Sequence, residues 1–132
     1  MIIDTHTHYY DPTRPEGVPW PDPNDEVLYR RVLPDDFKAL AVPAGVVGTV
    51  VVEASPWLED NQWILDLAAD EPFIVGFVGN LDIGDDAFVQ RLDRFAANPL
   101  YRGIRTHASK LVGSATNASL APLRALAERD LQ

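Results

Sequence analysis

The clearest chemical signal in the sequence is a pair of histidines near the N-terminus, His6 and His8, separated by one residue. Side chains alternate along a β-strand, so Asp4, His6 and His8 are expected on one face, with the imidazoles about 6–7 Å apart. Neutral imidazole is a common ligand for zinc, but a catalytic zinc needs about three protein ligands and an open position for water. The pair is therefore either part of a metal site that other residues complete, or two polar residues at a strand end.

Composition excludes several other kinds of site. The 132-residue chain carries no cysteine, which rules out disulfides, thiolate nucleophiles and thiolate metal sites. Its 11 Lys and Arg against 20 Asp and Glu give a formal net charge of −9, which disfavours nucleic acid and anionic membrane surfaces as partners. The sequence shows neither a signal peptide nor an apolar run of about 20 residues, so a cytoplasmic protein is expected.

Four apolar segments are predicted to form strands, and each is followed by a helical pattern. The valine-rich run 46–53 is typical of a strand buried on both faces, and the first strand is also predicted to be buried. The predicted strands are residues 2–8, 46–53, 73–83 and 102–107, and the predicted helices are a short one after Pro34 and residues 59–69, 86–97 and 119–130. This alternation predicts the α/β class, with a parallel sheet of sequentially ordered strands.

A long segment, residues 9–33, separates the first predicted strand from the first predicted helix. It is rich in proline and acidic residues, a composition that breaks both helices and strand ladders. Loops of this length are usually either functional lids or disordered. The aromatic residues Tyr9, Tyr10, Trp20 and Tyr29 favour a packed lid.

The segment Ile3-Asp4-Thr5-His6-Thr7-His8 resembles the H-x-H motif on the first strand of the amidohydrolase superfamily. Three further segments resemble the second, third and fourth strands of its amidohydrolase 2 branch, namely Val51-Val52-Glu53-Ala54-Ser55, Gly76-Phe77-Val78-Gly79 and Arg102-Gly103-Ile104-Arg105. Within that branch the likeness is to lactonase-like hydrolases. A complete (β/α)₈ barrel has about 250 residues, so the resemblance implies that residues 1–132 are one domain, the N-terminal half of a TIM barrel.

The resemblance also implies an active site at the C-terminal ends of the strands. It places His6 and His8 at metal-ligand positions, with zinc as the first candidate, although some lactonase-like relatives act without a divalent metal. Arg105 could hold a substrate carboxylate or lactone carbonyl through two hydrogen bonds, or instead form a salt bridge to an acidic residue. Glu53 is either in the pocket or a solvated or helix-capping carboxylate. His107 shares the direction of Arg105 if the strand persists, and otherwise lies in a loop.

Hydrolysis of a small carboxylated lactone, or of a related ester or amide, is the activity that the resemblance implies. Two alternatives remain open, a metal-dependent decarboxylase of aromatic or muconate-like acids and a non-catalytic half barrel. The family's water-activating aspartate and its remaining histidines belong to later strands, so the isolated chain is expected to have little activity. A half barrel would also leave two unpaired sheet edges, which predicts association with a second copy or a partner.

Overall fold

The computed structural model of the protein describes residues 1–111 and 120–132. Four strands form one parallel sheet in sequential order, which confirms the arrangement predicted from the alternating pattern. The strands are β1 Ile2–Thr7, β2 Val46–Val52, β3 Ile74–Gly79 and β4 Tyr101–Ile104. Because the strands are parallel, the residues that follow their carboxyl ends come together at one edge of the sheet.

The helices alternate with these strands along the chain. They are α1 Pro34–Ala41, followed by a 3₁₀ turn at Val42–Ala44, and then α2 Leu58–Ala69, α3 Phe88–Ala96 and α4 Ala121–Ala127. Gly45 ends the 3₁₀ turn with a φ of 88°, a left-handed conformation that favours glycine. Residue 119, the predicted start of the last helix, lies outside the described residues. Within residues 1–111 and 120–132, no helix is long and apolar enough to cross a bilayer.

The helices and the sheet bury a shared apolar core. Val51 and Phe77 come from the sheet, and Ile64, Leu92 and Phe95 come from α2 and α3; all five are fully buried. Complete burial of a side chain of this size stabilises the fold by about 1.5–3 kcal/mol. This packing fixes the strands relative to one another and so fixes the positions of the residues that follow them.

Close packing at the end of β3 requires a glycine. A Cβ at Gly79 would lie 2.3 Å from Asn61 Oδ1 and 2.6 Å from a ring carbon of Tyr101. Asn61 is fully buried in α2, and its amide nitrogen donates to the carbonyls of Leu58 at 2.9 Å and Asn80 at 3.0 Å. Its amide oxygen accepts the Asn80 N–H at 2.9 Å. Asn61 therefore joins α2 to the segment that follows β3.

A second glycine, Gly103, allows the C-terminal residue to pair with β4. The Gln132 N–H donates to the Arg102 carbonyl at 3.0 Å, and the Ile104 N–H donates to the Gln132 carbonyl at 2.7 Å. This is the hydrogen-bond pattern of a parallel pair. A Cβ at Gly103 would lie 1.9 Å from the Gln132 carbonyl oxygen, so a side chain there would break the pairing.

Three strand predictions were wrong in detail. The first strand was predicted to be buried, yet β1 is mostly exposed, with Ile2 at 52% exposure. The reason is that β1 lies at an edge of the described sheet and pairs with β2 alone. The third and fourth strands end at Gly79 and Ile104 rather than at residues 83 and 107. The residues beyond these ends leave the sheet and line a cleft.

Residues 9–33, called the strap below, pack onto the rest of the molecule. Tyr9 and Tyr10 are buried, and Tyr10 exchanges two backbone hydrogen bonds with Val32 at 3.0 and 2.9 Å. The Tyr10 hydroxyl also donates to the Leu28 carbonyl at 3.1 Å. These contacts confirm the predicted packed loop.

The middle of the strap is fixed by a cation. Arg14 donates to Asp60 at 2.9 Å, and both side chains are largely buried. The guanidinium carbon also lies 4.4 Å from the centroid of the Trp63 ring, within the range of a cation–π contact. Since Asp60 and Trp63 both belong to α2, the strap is attached to the helix that follows β2.

Candidate metal and anion site

A cleft of about 480 Å³ opens at the C-terminal edge of the sheet. Four of the residues singled out from the sequence line it, His8, Glu53, Arg105 and His107. His6 is not among the lining residues, but its ring lies beside that of His8. The parallel sheet therefore brings His8, Glu53 and Arg105 to one cleft although they are 45 or more positions apart in the sequence. Alternation along a single strand could not establish this.

The two histidines are close neighbours with a defined orientation. Their ring centroids lie 5.0 Å apart and the rings are perpendicular. His8 Nδ1 lies 2.7 Å from the Val52 carbonyl oxygen, and since a carbonyl can only accept, Nδ1 is assigned as the protonated nitrogen. The Nε2 atom of neutral His8 then carries the free lone pair. A backbone carbonyl that fixes the tautomer in this way is typical of metal-ligating histidines.

The charge state of His8 also suits a ligand. Burial lowers its pKa, and the nearby positive charges of His6 and Arg105 lower it further, against the opposing effect of the hydrogen bond to Val52. A lowered pKa keeps the imidazole neutral near pH 7, the form that binds metals. The donor type and the tautomer of this residue therefore fit zinc.

The histidine pair is not a complete metal centre within the described residues, where no group of three or more His, Cys, Asp or Glu side chains is placed to hold an ion. Asp4, predicted on the same face, does not join the pair. Its carboxylate accepts the His6 backbone N–H at 2.9 Å, and the strand register is irregular between Asp4 and Thr7, so the simple alternation is broken. The described site thus has two nitrogen donors, one from His6 in β1 and one from His8 directly after it.

Glu53 lies directly after β2 and is only 4% exposed. Its Oε1 accepts the Ser55 N–H at 2.7 Å, whereas Oε2 is buried with no hydrogen-bond partner within the described part of the chain. Burial, followed by the negative charge of Asp60, raises the pKa of Glu53 to about 7, against the hydrogen bond from Ser55 and the charge of Arg14. The alternative of a solvated carboxylate was wrong, and α2 is preceded by Trp57 as its cap residue, so Glu53 does not cap that helix.

The opposite end of the cleft carries exposed cations. Arg105 follows β4, and its backbone N–H donates to the Gly79 carbonyl at 2.7 Å, which fixes the base of the side chain. Among residues 1–111 and 120–132 its guanidinium forms no ion pair with a carboxylate, so the salt-bridge alternative finds no support there. Lys110 also lines the cleft and pairs with Asp82 at 3.0 Å.

His107 lines the cleft, but it does so from a loop and not from an extension of β4. The expectation was that β4 would continue and direct His107 to the same side as Arg105, but the strand ends at Ile104. The His107 carbonyl instead accepts the N–H groups of Lys110 at 2.9 Å and Leu111 at 3.3 Å, the start of a helical turn. His107 therefore lies in a loop and still lines the cleft.

Trp20 and Asn80 also line the cleft. The sequence indicated Trp20 only as one of the aromatic residues of a packed lid, and it did not indicate Asn80. Trp20 comes from the strap and its ring lies 5.8 Å from that of His8. A residue in an irregular proline-rich segment has no periodicity that reveals its direction, so no pattern could have found it. For Asn80, the available signal was its position directly after an apolar strand.

Comparison with known proteins places the chain in a family. A sequence profile described as Amidohydrolase matches residues 3–131. An L-fucono-1,5-lactonase of Burkholderia ambifaria is 33% identical over 103 residues, which are 78% of this chain and 35% of that protein. An L-fucono-1,5-lactonase of Burkholderia multivorans is 29% identical over 105 residues, covering 80% of this chain and 35% of that protein.

Solved structures give the same picture. Two crystal structures of an amidohydrolase from Burkholderia multivorans, one with bound zinc and one with bound HEPES, match at 25% identity with a TM-score of 0.73. Each match covers 96% of this chain and 44% of the other. The chain thus spans about a third of the length of the curated relatives it matches and less than half of the solved neighbour.

Proposed function

The chain belongs to the amidohydrolase family, and from that premise we propose that it provides the histidine pair and the anion-binding end of a site that hydrolyses small lactones. The observation that carries the proposal is the shared cleft, in which His8, with its Nε2 lone pair free, and the exposed cation of Arg105 line the same space. Both suit a lactone-hydrolysing site, because the imidazole can hold a metal that activates water and the guanidinium can hold the carboxylate that ring opening produces. The relatives named as L-fucono-1,5-lactonases support this class of substrate.

His6 and His8 are the residues that would hold a divalent metal, with zinc as the first choice. The zinc bound to the Burkholderia multivorans amidohydrolase supports that choice. When bound, such an ion polarises a carbonyl oxygen and lowers the pKa of a coordinated water. The Val52 carbonyl holds the His8 ring at its Nδ1–H, so the ring does not have to reorient when a ligand binds.

Arg105 is proposed to hold the carbonyl of the lactone and then the carboxylate of the product. A guanidinium offers two parallel N–H donors to a carboxylate, a geometry that a lysine ammonium cannot reproduce. His107 and Lys110 add hydrogen-bonding nitrogens beside it, and Lys110 is already paired with Asp82. The guanidinium of Arg105 at the β4 end favours a substrate that is an anion or becomes one during the reaction.

Glu53 is proposed to contact the substrate as a hydrogen-bond donor. Its raised pKa means that a substantial fraction is protonated near pH 7, and a protonated carboxyl group can donate through one oxygen. Oε2 is the oxygen without a partner, since Oε1 accepts the Ser55 N–H. Because Glu53 lines the cleft, a turn of its carboxyl group would bring Oε2 within reach of a substrate oxygen.

The test compares two proteins: the 132-residue chain and a chimera in which it is joined to the C-terminal part of the Burkholderia ambifaria lactonase. Ring opening of L-fucono-1,5-lactone is followed with a pH indicator and by mass spectrometry, with zinc added. We expect turnover by the chimera and little turnover by the chain alone, because the described residues supply two of the about three ligands that a catalytic zinc needs.

An Arg105→Lys chimera provides the control within the site. It should fold normally and lose most of its kcat/KM, because the two-point contact is lost. Robust turnover by the 132-residue chain would contradict the half-site interpretation. A chimera that releases CO₂ from a carboxylated substrate without opening lactone rings would instead support the decarboxylase alternative.

A further inference from the structure

We propose that Trp20 is the specificity-determining residue of the cleft, a platform on which the non-polar face of a sugar-type lactone ring packs. The inference rests on the proposed lactone hydrolysis and names the feature of the substrate that the strap recognises. It concerns the cyclic form of the substrate, whereas Arg105 is assigned to the carbonyl and the carboxylate.

The position of Trp20 follows from the strand order. Trp20 lies beside His8, which follows β1, with 5.8 Å between the ring centroids. Arg105 follows β4, at the other end of the described sheet. Trp20 and Arg105 therefore line the same cleft from its two ends. A ring whose ester group lies between the histidines and Arg105 would extend its remaining carbons toward the indole.

The indole is held in place from behind. The Tyr10 ring lies 5.2 Å from it at 74°, and Tyr10 is itself fixed by its backbone pairing with Val32. The next residue, Pro21, is fully buried. Neither Tyr10 nor His8 stacks flat on Trp20, and 39% of the residue remains exposed. The strap thus presents a fixed, partly open aromatic surface to a cleft lined largely by polar side chains.

The indole surface of Trp20 should bind a closed sugar ring in preference to an open chain. The face of an aromatic ring is electron-rich, so it attracts the weakly positive C–H bonds of a sugar ring, while the polar residues of the cleft can bind the hydroxyl groups. Hydrolysis opens the lactone and destroys the flat non-polar face. Trp20 should therefore favour the cyclic substrate over the open-chain product, which assists product release.

The test measures the binding of two stable probes to the zinc-loaded 132-residue chain by ligand-observed NMR titration. Methyl α-L-fucopyranoside presents a closed sugar ring, and L-fuconate presents an open chain with a carboxylate. The variants are Trp20→Leu, Trp20→Phe and the control Trp57→Leu, since Trp57 is also 39% exposed but does not line the cleft. Circular dichroism and thermal unfolding check that each variant is folded.

We expect Trp20→Leu to weaken binding of the ring probe by about tenfold, the size of one aromatic contact and its buried area. Trp20→Phe should retain most of the affinity, and L-fuconate binding should be unchanged in both variants. The platform proposal is wrong if wild type does not bind the ring probe, or if Trp20→Leu binds it as well as wild type does. It is also wrong if Trp57→Leu weakens binding of the ring probe as much as Trp20→Leu does. Failure of wild type to bind L-fuconate, with ring binding still dependent on Trp20, contradicts the proposed function and leaves the platform intact.

Discussion

At the β1–β2 end of the cleft, His8 and Glu53 are partly or fully buried, and each is held by a hydrogen bond to nearby backbone. At the β4 end, the side chains of Arg105 and His107 are exposed, and Arg105 is anchored mainly through its backbone. The first end is therefore organised before any ligand arrives, and its residues have altered protonation. We expect the side chains of the second end to become fixed when they bind an anion. Substitutions at the two ends should accordingly affect different properties of the molecule.

The largest effect is expected from Gly79→Ala, which tests whether close packing at the end of β3 fixes the sheet edge between the two ends of the cleft. The new Cβ would overlap Asn61 and Tyr101, so the free energy of unfolding should fall by roughly 3 kcal/mol, the upper end of overpacking effects. Gly84→Ala is the matched control, because its Cβ would meet only Asp82 Oδ1 at 3.5 Å. Urea unfolding measures both, and equal stability of the two variants would show that the end of β3 is looser than described.

Burial of Glu53 should make stability depend on pH. Its pKa rises from 4.5 to about 7 on folding, so the folded state binds the proton more tightly and is favoured while the carboxyl is protonated. The contribution is fully present below about pH 4.5 and is lost as the pH rises through 7. Between pH 4.5 and 8 the loss should be about 3 kcal/mol, since the pKa rises from 4.5 to about 7 and each pKa unit corresponds to about 1.4 kcal/mol.

Comparison with Glu53→Gln isolates this contribution, because the amide keeps the shape and cannot titrate. Carboxyls whose pKa is lowered, such as Asp82 and Glu59, make stability fall as the pH drops, which is the opposite dependence. Both proteins contain these carboxyls, so their contribution cancels when the two stability profiles are subtracted. Unfolding is measured from pH 4 to 8. Parallel stability profiles for the two proteins would mean that Glu53 is solvated or otherwise satisfied.

Zinc binding should separate the two ends directly. His8→Ala and His6→Ala should each weaken zinc binding by at least about tenfold, since even the loss of a group that supports a ligand costs that much. His107→Ala, at the β4 end, should leave the affinity unchanged. Calorimetric titration with zinc checks all three variants. An unchanged affinity in His8→Ala would refute a shared histidine site, and an equal loss in His107→Ala would extend the site across the cleft.

The sequence predicted the parallel sheet and its order because strands buried on both faces and amphipathic helices leave strong periodic patterns. It did not predict the exposure of β1, since a pattern of apolar residues does not reveal how many neighbours a strand has. The ends of the third and fourth strands were predicted too far along the chain. The alternating pattern continues through Asn80 and Arg105, although the hydrogen-bonded ladder has already stopped.

Within the cleft, His6, His8, Glu53, Arg105 and His107 could be proposed because each is a chemically active side chain at or near a predicted strand end. Two other features of the cleft could not be predicted. The raised pKa of Glu53 arises from its burial and from the charge of Asp60 in α2, both of which depend on tertiary packing. The presence of Trp20 depends on how an irregular segment folds back over β1, and such segments have no repeating pattern to indicate it.

The central claim is that the histidine pair and Arg105 act on one ligand, and the affinity of L-fuconate tests it most directly. Calorimetry on the 132-residue chain, with and without zinc, compares wild type, Arg105→Lys and His8→Ala. We predict that wild type binds L-fuconate and that Arg105→Lys weakens this binding several-fold, because the two-point contact is lost. Removing zinc, or replacing His8 by Ala, should also weaken the binding relative to zinc-loaded wild type. Binding that is absent in wild type, or that is the same in all three proteins with and without zinc, would contradict the account.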